Sequence, residues 1–420
     1  MELKYGSTTL HLEIPQERLL GCLNANSPIP EESPEQIIAA SLDGCRDTMA
    51  GFCPEEKVVI VTSDITRYTA SEIYLPLLVE RLNAQGVKDS NIEIVIALGI
   101  HRKQTEDEHR KILGALHGRI RVSDHDCDDS ENLVLLGQTS NGIDVMINRQ
   151  VAEADKVILT GAIGFHYFAG FSGGRKSILP GVASRKACMA SHFAVLNPED
   201  GGGKNPLAAT GILDGNPVHD AMDEACGMVC PALILNTILS PDKRLIAAFT
   251  GDWREAHRKG CEYYSRYYSV PIASKADLVV VSCGGFPKDI NFIQAHKSME
   301  YASRALKDGG VMILLAQCRD GYGNPTFFNW FRHRDLDVLE AELRRNYEIN
   351  GQTAYSTLQK TTRFRVILVS EIPPPEVEAM GMTAAGSLDV ALRLATKTLP
   401  PLYSAFIIPD GGIVLPVFKN

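Results

Sequence analysis

Seven short runs of aliphatic and β-branched residues set the limits on what this chain can become. They are Val58–Val61, Ile92–Leu98, Val157–Leu159, Leu233–Ile238, Leu278–Val281, Val311–Leu315 and Val366–Val369. They hardly alternate between apolar and polar residues. A strand with one wet face alternates with period two, whereas one covered on both faces reads as a continuous apolar run. Between the runs lie amphipathic stretches of helical length: Ser71–Gln85, Thr105–Leu113, Arg185–Val195, Val218–Met228, Trp253–Tyr268, Lys297–Leu306 and Leu336–Arg345. Buried strands alternating with such helices predict an α/β fold, two domains with mostly parallel sheets flanked by helices.

Ser269-Val270-Pro271 follows a long helical stretch and precedes a fresh strand. The expected boundaries are therefore 1–268 for a first domain, 272–395 for a second, and 396–420 for a tail. Over Ala405–Lys419, around Asp410-Gly411-Gly412, the tail reads as a strand hairpin, returning to the first domain or to the second. Gly201-Gly202-Gly203 reads as a flexible loop.

Charge and cysteines exclude several classes. The 42 basic and 51 acidic residues give a formal charge of −9, against the basic stripe of a nucleic-acid binder. Ten cysteines are scattered without a C-x-x-C pair, so a zinc site is not expected and they read as reduced, mostly buried thiols. No apolar run reaches the ~18 residues of a membrane helix, and Met1-Glu2-Leu3-Lys4 is no secretory leader. A cytoplasmic protein with no nucleic-acid or membrane partner is expected.

In open α/β sheets ligands bind beyond the carboxyl ends of the strands. Four strands here run into polar or glycine-rich turns: Ser63–Arg67, Gly99–Arg102, Gly161–His166 continuing to Gly173–Lys176, and Gly284–Asp289. Each has a plainer reading. Asp64 and Thr66 would serve as caps of the helix near Ser71. His101 would be structural, and His192 a packing or surface histidine. Gly173-Gly174-Arg175-Lys176 reads either as a basic surface turn or as a phosphate cradle, although it lacks the Walker spacing. His109, His117 and His125 read as surface residues. Asp126, Asp128 and Asp129 lack the Gly and Glu of a calcium loop and read as solvated.

The segment Gly164-Phe165-His166-Tyr167-Phe168-Ala169-Gly170-Phe171-Ser172-Gly173-Gly174-Arg175-Lys176-Ser177-Ile178-Leu179-Pro180-Gly181 resembles the signature of the nickel-dependent lactate racemase family. Asp64-x-Thr66-Arg67 is similar to its D-x-T-R element and Gly99-Ile100-His101-Arg102 to its G-x-H-R element. His192 follows Lys176 by sixteen residues, the family spacing. Pro287–Lys297 resembles the family's P-x-D-x-N-x-x-Q-x-x-K element.

The resemblance implies a racemase or epimerase of 2-hydroxy acids. Its cofactor would be a nickel pincer nucleotide, the nickel complex of pyridinium-3,5-bisthiocarboxylic acid mononucleotide. Lys176 would carry it covalently and His192 would ligate the nickel, a soft-donor square plane suited to Ni(II). Thr66, Gly173, Gly174 and Arg175 would complete the cofactor site, with Arg175 favouring a neutral Lys176. His101 and His166 would be the acid/base pair, one serving each enantiomer, while hydride passes reversibly from the substrate Cα to the cofactor through a 2-keto acid. Arg67, Gln294 and Lys297 would bind substrate, and Asp64 would orient a basic neighbour. Those residues come from both domains, so the active site is expected in the interdomain cleft. Maturation would require the cofactor-synthesis proteins as partners.

Three departures concern the pocket. Tyr68-Thr69-Ala70 stand where the family often has prolines, Ile293 stands where the lactate enzymes have an aromatic residue, and the only tryptophans are Trp253 and Trp330. The family's second-domain tryptophan has no evident counterpart, unless Tyr355 takes its place. Tyr68 and Ile293 therefore point to a substrate larger or more polar than lactate. Two other classes stay open: a carrier of nickel nucleotide without catalysis, and a nickel-free phosphate- or nucleotide-binding enzyme.

Overall fold

The computed structural model describes residues 1–418. All seven apolar runs are strands, and each lies in one of two six-stranded sheets. In the first sheet the spatial order is Leu245–Gly251, Leu233–Leu239, Lys156–Ile163, Val58–Ser63, Ile92–Ala97, Arg121–Asp124. Every neighbouring pair is parallel except the first, which is antiparallel. The chain runs outward from Val58–Ser63 through Ile92–Ala97, then resumes on the other side at Lys156–Ile163. That reversal makes a topological switch point between Val58–Ser63 and Lys156–Ile163, where a doubly wound sheet opens a crevice at its carboxyl edge.

The second sheet is parallel throughout, in the order Thr383–Ala385, Arg365–Val369, Leu306–Leu315, Ala276–Ser282, Ala405–Ile408, Leu19–Cys22. The helices pack on the apolar sheet faces. Leu75, Leu78, Val79 and Leu82 of helix Ser71–Ala84 join Val58, Ile60, Ile94 and Ile158 in one core. Leu388, Ala391 and Ala395 join Leu278, Val280, Ile313 and Ile367 in the other.

The division of the chain differs from the boundaries read off the sequence. One compact unit comprises Ser27–Leu196 and Lys204–Ser265; the other comprises Met1–Asn26, Asn197–Gly203 and Arg266–Asn420. Residues 1–26 join the later unit because Leu19–Cys22 extends its sheet beside Ala405–Ile408, while Leu3 and Leu12 sink into its core. The tail also returns there, and it is not a hairpin. Ala405–Ile408 pairs in parallel with Ala276–Ser282, whereas Leu415–Phe418 pairs in parallel with Ser269–Ile272. The glycines at 411 and 412 end one strand and let the chain cross to another sheet. Lys419, included in the expected hairpin, lies outside the described residues. Gly203 is held, its N–H bonding the Glu340 carboxylate at 3.1 Å.

Candidate active site

Three strand ends of the first unit bring the sequence motifs together. After Val58–Ser63 the chain turns at Asp64, a carboxylate only 3% exposed. Its Oδ1 accepts the Thr66 N–H at 2.9 Å and the Thr66 hydroxyl at 2.5 Å. Its Oδ2 meets His101 Nδ1 at 2.5 Å. Burial raises the Asp64 pKa, but the bonds from His101 and Thr66 outweigh it and hold the group below the ordinary carboxylate value. Neither Asp64 nor Thr66 is a helix cap. Helix Ser71–Ala84 starts after Ala70, which has φ 61° and no side-chain cap.

Arg67, on the same turn, is exposed; its N–H bonds the Asp64 carbonyl at 3.0 Å, and its guanidinium makes no hydrogen bond or ion pair among the described residues. Tyr68 donates its hydroxyl to Glu72 Oε1 at 2.7 Å, so its proton is already committed. After Ile92–Ala97, Gly99 bonds through its N–H to the Gly181 carbonyl at 2.8 Å. This ties the His101 turn to the end of the glycine-rich signature. With a carboxylate on Nδ1, the neutral His101 ring keeps its proton there and leaves Nε2 as a base.

The third strand end, Lys156–Ile163, leads into a two-residue pairing of Phe165–His166 with Gly170–Phe171. His166 Nδ1 accepts the Ala169 N–H at 3.3 Å, so its neutral ring carries the proton on Nε2. Phe168 joins this histidine to the next. Its ring lies 4.5 Å from His166, edge-on, and 5.4 Å from His192.

Gly173–Lys176 lies flat against the sheet. A Cβ at Gly161 would come within 2.8 Å of the Gly174 nitrogen, and one at Gly173, where φ is 130°, within 2.7 Å of His257 Cδ2. The turn is therefore no surface feature. It carries Arg175 inward to 1% exposure, among Met222, His219 and His257. Among the described residues the guanidinium Nη1 has only the Met222 sulfur at 3.9 Å, and Nε and Nη2 have no hydrogen-bond partner. Burial pulls the Arg175 pKa below its ordinary value.

Lys176 is pushed down to about 7 by burial and then by the charges of Arg175 and Arg67. A large share of its amine is thus neutral near pH 7, as an acyl acceptor requires. On helix Arg185–Phe193, His192 Nδ1 bonds the Cys188 carbonyl at 2.8 Å. Burial and the Lys176 charge lower the His192 pKa to about 4. The ring is neutral, its proton sits on Nδ1, and Nε2 presents a lone pair of the kind a metal takes. Among the described residues no three His, Cys, Asp or Glu side chains gather as a metal site, so His192 belongs to no preformed cluster of protein ligands.

The family models for the lactate racemase N-terminal domain and C-terminal domain match residues 5–203 and 272–415. The chain belongs to the lactate racemase family. It is 36% identical to the lactate racemase of Thermoanaerobacterium thermosaccharolyticum, over 99% of this chain and 98% of that one. It is 33% identical to that of Lactiplantibacillus plantarum, over 99% of both. The structure of the T. thermosaccharolyticum lactate racemase apoprotein superposes with a TM-score of 0.90 at 35% identity, covering 100% of this chain and 99% of that one. A Thermotoga maritima protein, 21% identical with a TM-score of 0.65 over 94% of this chain and 100% of that one, shares the fold.

The structure thus gathers the family's D-x-T-R, G-x-H-R and glycine-rich elements in one unit. Ile293, Gln294 and Lys297 lie on helix Phe292–Ala302 of the other. There Lys297 Nζ donates to Gln294 Oε1 at 2.8 Å, and Asn291 caps the helix through the Gln294 N–H. Ile293 is half-buried. Tyr355 is buried, its hydroxyl 3.4 Å from Glu340, and Trp330 is buried in the same unit.

Sequence reasoning missed the carbonyl of Cys188, the N–H of Ala169 and the ring of Phe168. Backbone groups leave no residue-type signal. Phe168 stood in the quoted signature with nothing to mark its placement between two histidines. The reading of His125 as a surface residue is overturned: it is 1% exposed, with Nε2 3.0 Å from the Ala183 carbonyl. His109 and His117 are both half-buried, paired with Asp124 at 2.8 Å and with Glu106 at 2.7 Å.

Proposed function

We propose that this protein racemises or epimerises a 2-hydroxy acid bulkier than lactate, with a nickel pincer nucleotide on Lys176. Family membership makes it an isomerase of the lactate racemase type. The observation that carries the finer reading is a lysine of depressed pKa beside the neutral imidazole of His192, with two differently held histidines at ends of the same sheet. A nucleotide carrier needs no such pair, and a nickel-free phosphate site needs no His192.

The residues fit the cofactor. Lys176 offers an amine that is substantially neutral, and His192 offers one nitrogen ligand where the pincer would bring the others. The chemistry this group supplies when bound is reversible hydride acceptance. The protein's own residues handle the proton and the carboxylate. His101 Nε2, backed by Asp64, takes the hydroxyl proton of one enantiomer. His166 serves the oxygen of the other enantiomer as the second acid/base, and it donates from its protonated ring, since a neutral imidazole that gave up its Nε2 proton would become an imidazolate. Arg67, exposed and unpaired, holds the substrate carboxylate, which its planar fork matches. Gln294 and Lys297 are the corresponding candidates on helix Phe292–Ala302.

The test uses protein made together with the cofactor-synthesis proteins. Intact mass should show an adduct that Lys176→Ala removes, and His192→Ala should keep the adduct while losing most of the nickel. Substrate deuterated at Cα should racemise with most of its label retained. Washout into water would instead mean proton abstraction from carbon and would overturn hydride transfer.

A further inference from the structure

Beside the D-x-T-R turn lies a cavity of about 360 Å³, lined by Asp64, Ile65, Arg67, Tyr68, Ser71, Glu72, Lys111 and Ile112. It shares two residues with the active site: Asp64, whose carboxylate holds His101, and Arg67. Its remaining walls come from the start of helix Ser71–Ala84 and the last turn of helix Glu106–Leu113. Nothing in the acid/base or cofactor roles above uses it.

Its chemistry is readable wall by wall. Ile112 is 3% exposed and Ile65 is half-buried, so both present hydrocarbon. Tyr68 contributes its ring. Its hydroxyl proton is bound to Glu72, which at the same time occupies one oxygen of the only carboxylate on the far wall. Sequence alone counted Tyr68 among the signs of a larger or more polar substrate; the Glu72 bond leaves its ring, and not its hydroxyl proton, to a ligand. The charged group free at the Asp64 end is the guanidinium of Arg67, and Lys111 lies exposed at the opposite helix. A ligand anchored by a carboxylate at Arg67 therefore finds hydrocarbon and an aromatic face next to it. Binding sites of this kind join apolar walls to a few polar anchors.

Lactate offers only a methyl group, which fills a small part of such a space. We infer that the cavity is the subsite for the C3 substituent of the substrate, and that the preferred substrates are 2-hydroxy acids with a branched aliphatic or aromatic side chain. This rests on the racemase reading above. It narrows that reading, because a second carboxylate or a polyol chain would lie along Ile65, Ile112 and the Tyr68 ring, with Lys111 and Ser71 the polar groups it could still reach. Unmatched polar groups in an apolar site lose more affinity than a missing methylene does.

The experiment measures kcat/KM on the nickel-loaded enzyme for lactate, 2-hydroxyisocaproate, 3-phenyllactate, malate and gluconate, each by chiral chromatography. Calorimetry of 3-phenyllactate and lactate on the same protein supplies an activity-independent readout. The two bulky apolar acids should exceed lactate, malate and gluconate by tenfold or more. Ile65→Phe, which fills the rim from a half-buried position, should cut the phenyllactate-to-lactate ratio at least tenfold and weaken phenyllactate binding in parallel. Ile112→Ala, which enlarges the space, should move the ratio the other way. A best rate with lactate, malate or gluconate overturns the inference and leaves the racemase reading standing. So does a preference for bulky acids that neither variant moves. If none of the five acids is racemised, the racemase reading fails instead, and tighter binding of phenyllactate than lactate, lost in Ile65→Phe, still decides the cavity.

Discussion

His101 and His166 sit at two strand ends of one sheet and are held in opposite ways. The His101 ring leans on a buried carboxylate, with Asp64 at 2.5 Å from Nδ1. The His166 ring leans on a backbone donor, with the Ala169 N–H 3.3 Å from Nδ1. A carboxylate only accepts and a peptide N–H only donates, so the two supports select opposite tautomers. His101 presents a free Nε2 to the reaction and His166 an Nε2–H, without any difference in residue type. Each ring must take a hydroxyl proton from one enantiomer, so His166 first exchanges its tautomer, giving up the Ala169 bond, whereas His101 does not.

The largest test removes each ring in turn. His101→Ala and His166→Ala should each lower steady-state racemisation by about 10²- to 10⁴-fold, the usual contribution of a positioned acid or base. The steady state cannot separate them, because racemisation has an equilibrium constant of unity and kcat/KM must match in both directions. Single-turnover formation of the 2-keto acid can. Each variant should lose keto acid formation from one enantiomer and spare it from the other, with the sparing reversed between them. Loss from both enantiomers in either variant would end the division of labour.

Replacing the support rather than the ring comes next. Asp64→Asn puts a neutral amide against His101 Nδ1 and should slow racemisation by roughly 10- to 100-fold, the scale seen for partners that orient a functional imidazole. Nitrogen-15 NMR should show the His101 tautomer changing while that of His166 stays. A shift in both rings would mean a structural disturbance instead of a local one.

Much of this contrast was legible in the sequence and part was not. The strands, their parallel sense and the post-strand placement of Asp64, His101 and His166 follow from uninterrupted apolar runs, because a doubly covered strand leaves that trace. Residues 1–26 misled because a single strand, Leu19–Cys22, carries no sign of which sheet it will extend; that is settled by pairing with Ala405–Ile408, nearly 400 residues away. Arg175 misled for another reason. A Gly-Gly-Arg-Lys turn reads as wet, and only the packing of Gly174 on Gly161 shows it folding inward. The tautomers were out of reach, since the N–H of Ala169 and the carbonyl of Cys188 belong to the backbone.

The Asp64 pKa gives a pH test of the same support. Its folded value lies below the ordinary carboxylate value. A depressed carboxylate stabilises the fold above its unfolded pKa, and that contribution fades as pH falls through the folded value. Thermal unfolding of the wild type and Asp64→Asn should therefore differ at neutral pH and converge in acid, below the ordinary carboxylate range.

The smallest test asks whether the Asp64 carboxylate is itself aimed. Thr66 gives Oδ1 two donors, its N–H at 2.9 Å and its hydroxyl at 2.5 Å, leaving Oδ2 for His101. Thr66→Val keeps the shape and the N–H and deletes only the hydroxyl. A hydrogen bond to a charged group contributes about 1.5–3 kcal/mol, but the exposed Thr66 site lets water replace part of it. Most of the loss should fall on the orientation of Asp64, because His101 keeps a charged partner throughout. Racemisation should fall by about three- to tenfold in kcat, with KM nearly unchanged, and the Asp64-linked transition in thermal stability should move to higher pH as the carboxylate loses a donor. A rise in KM with kcat intact would place the Thr66 hydroxyl on a bound ligand instead, and the carboxylate would then owe its aim to His101 and the Thr66 backbone.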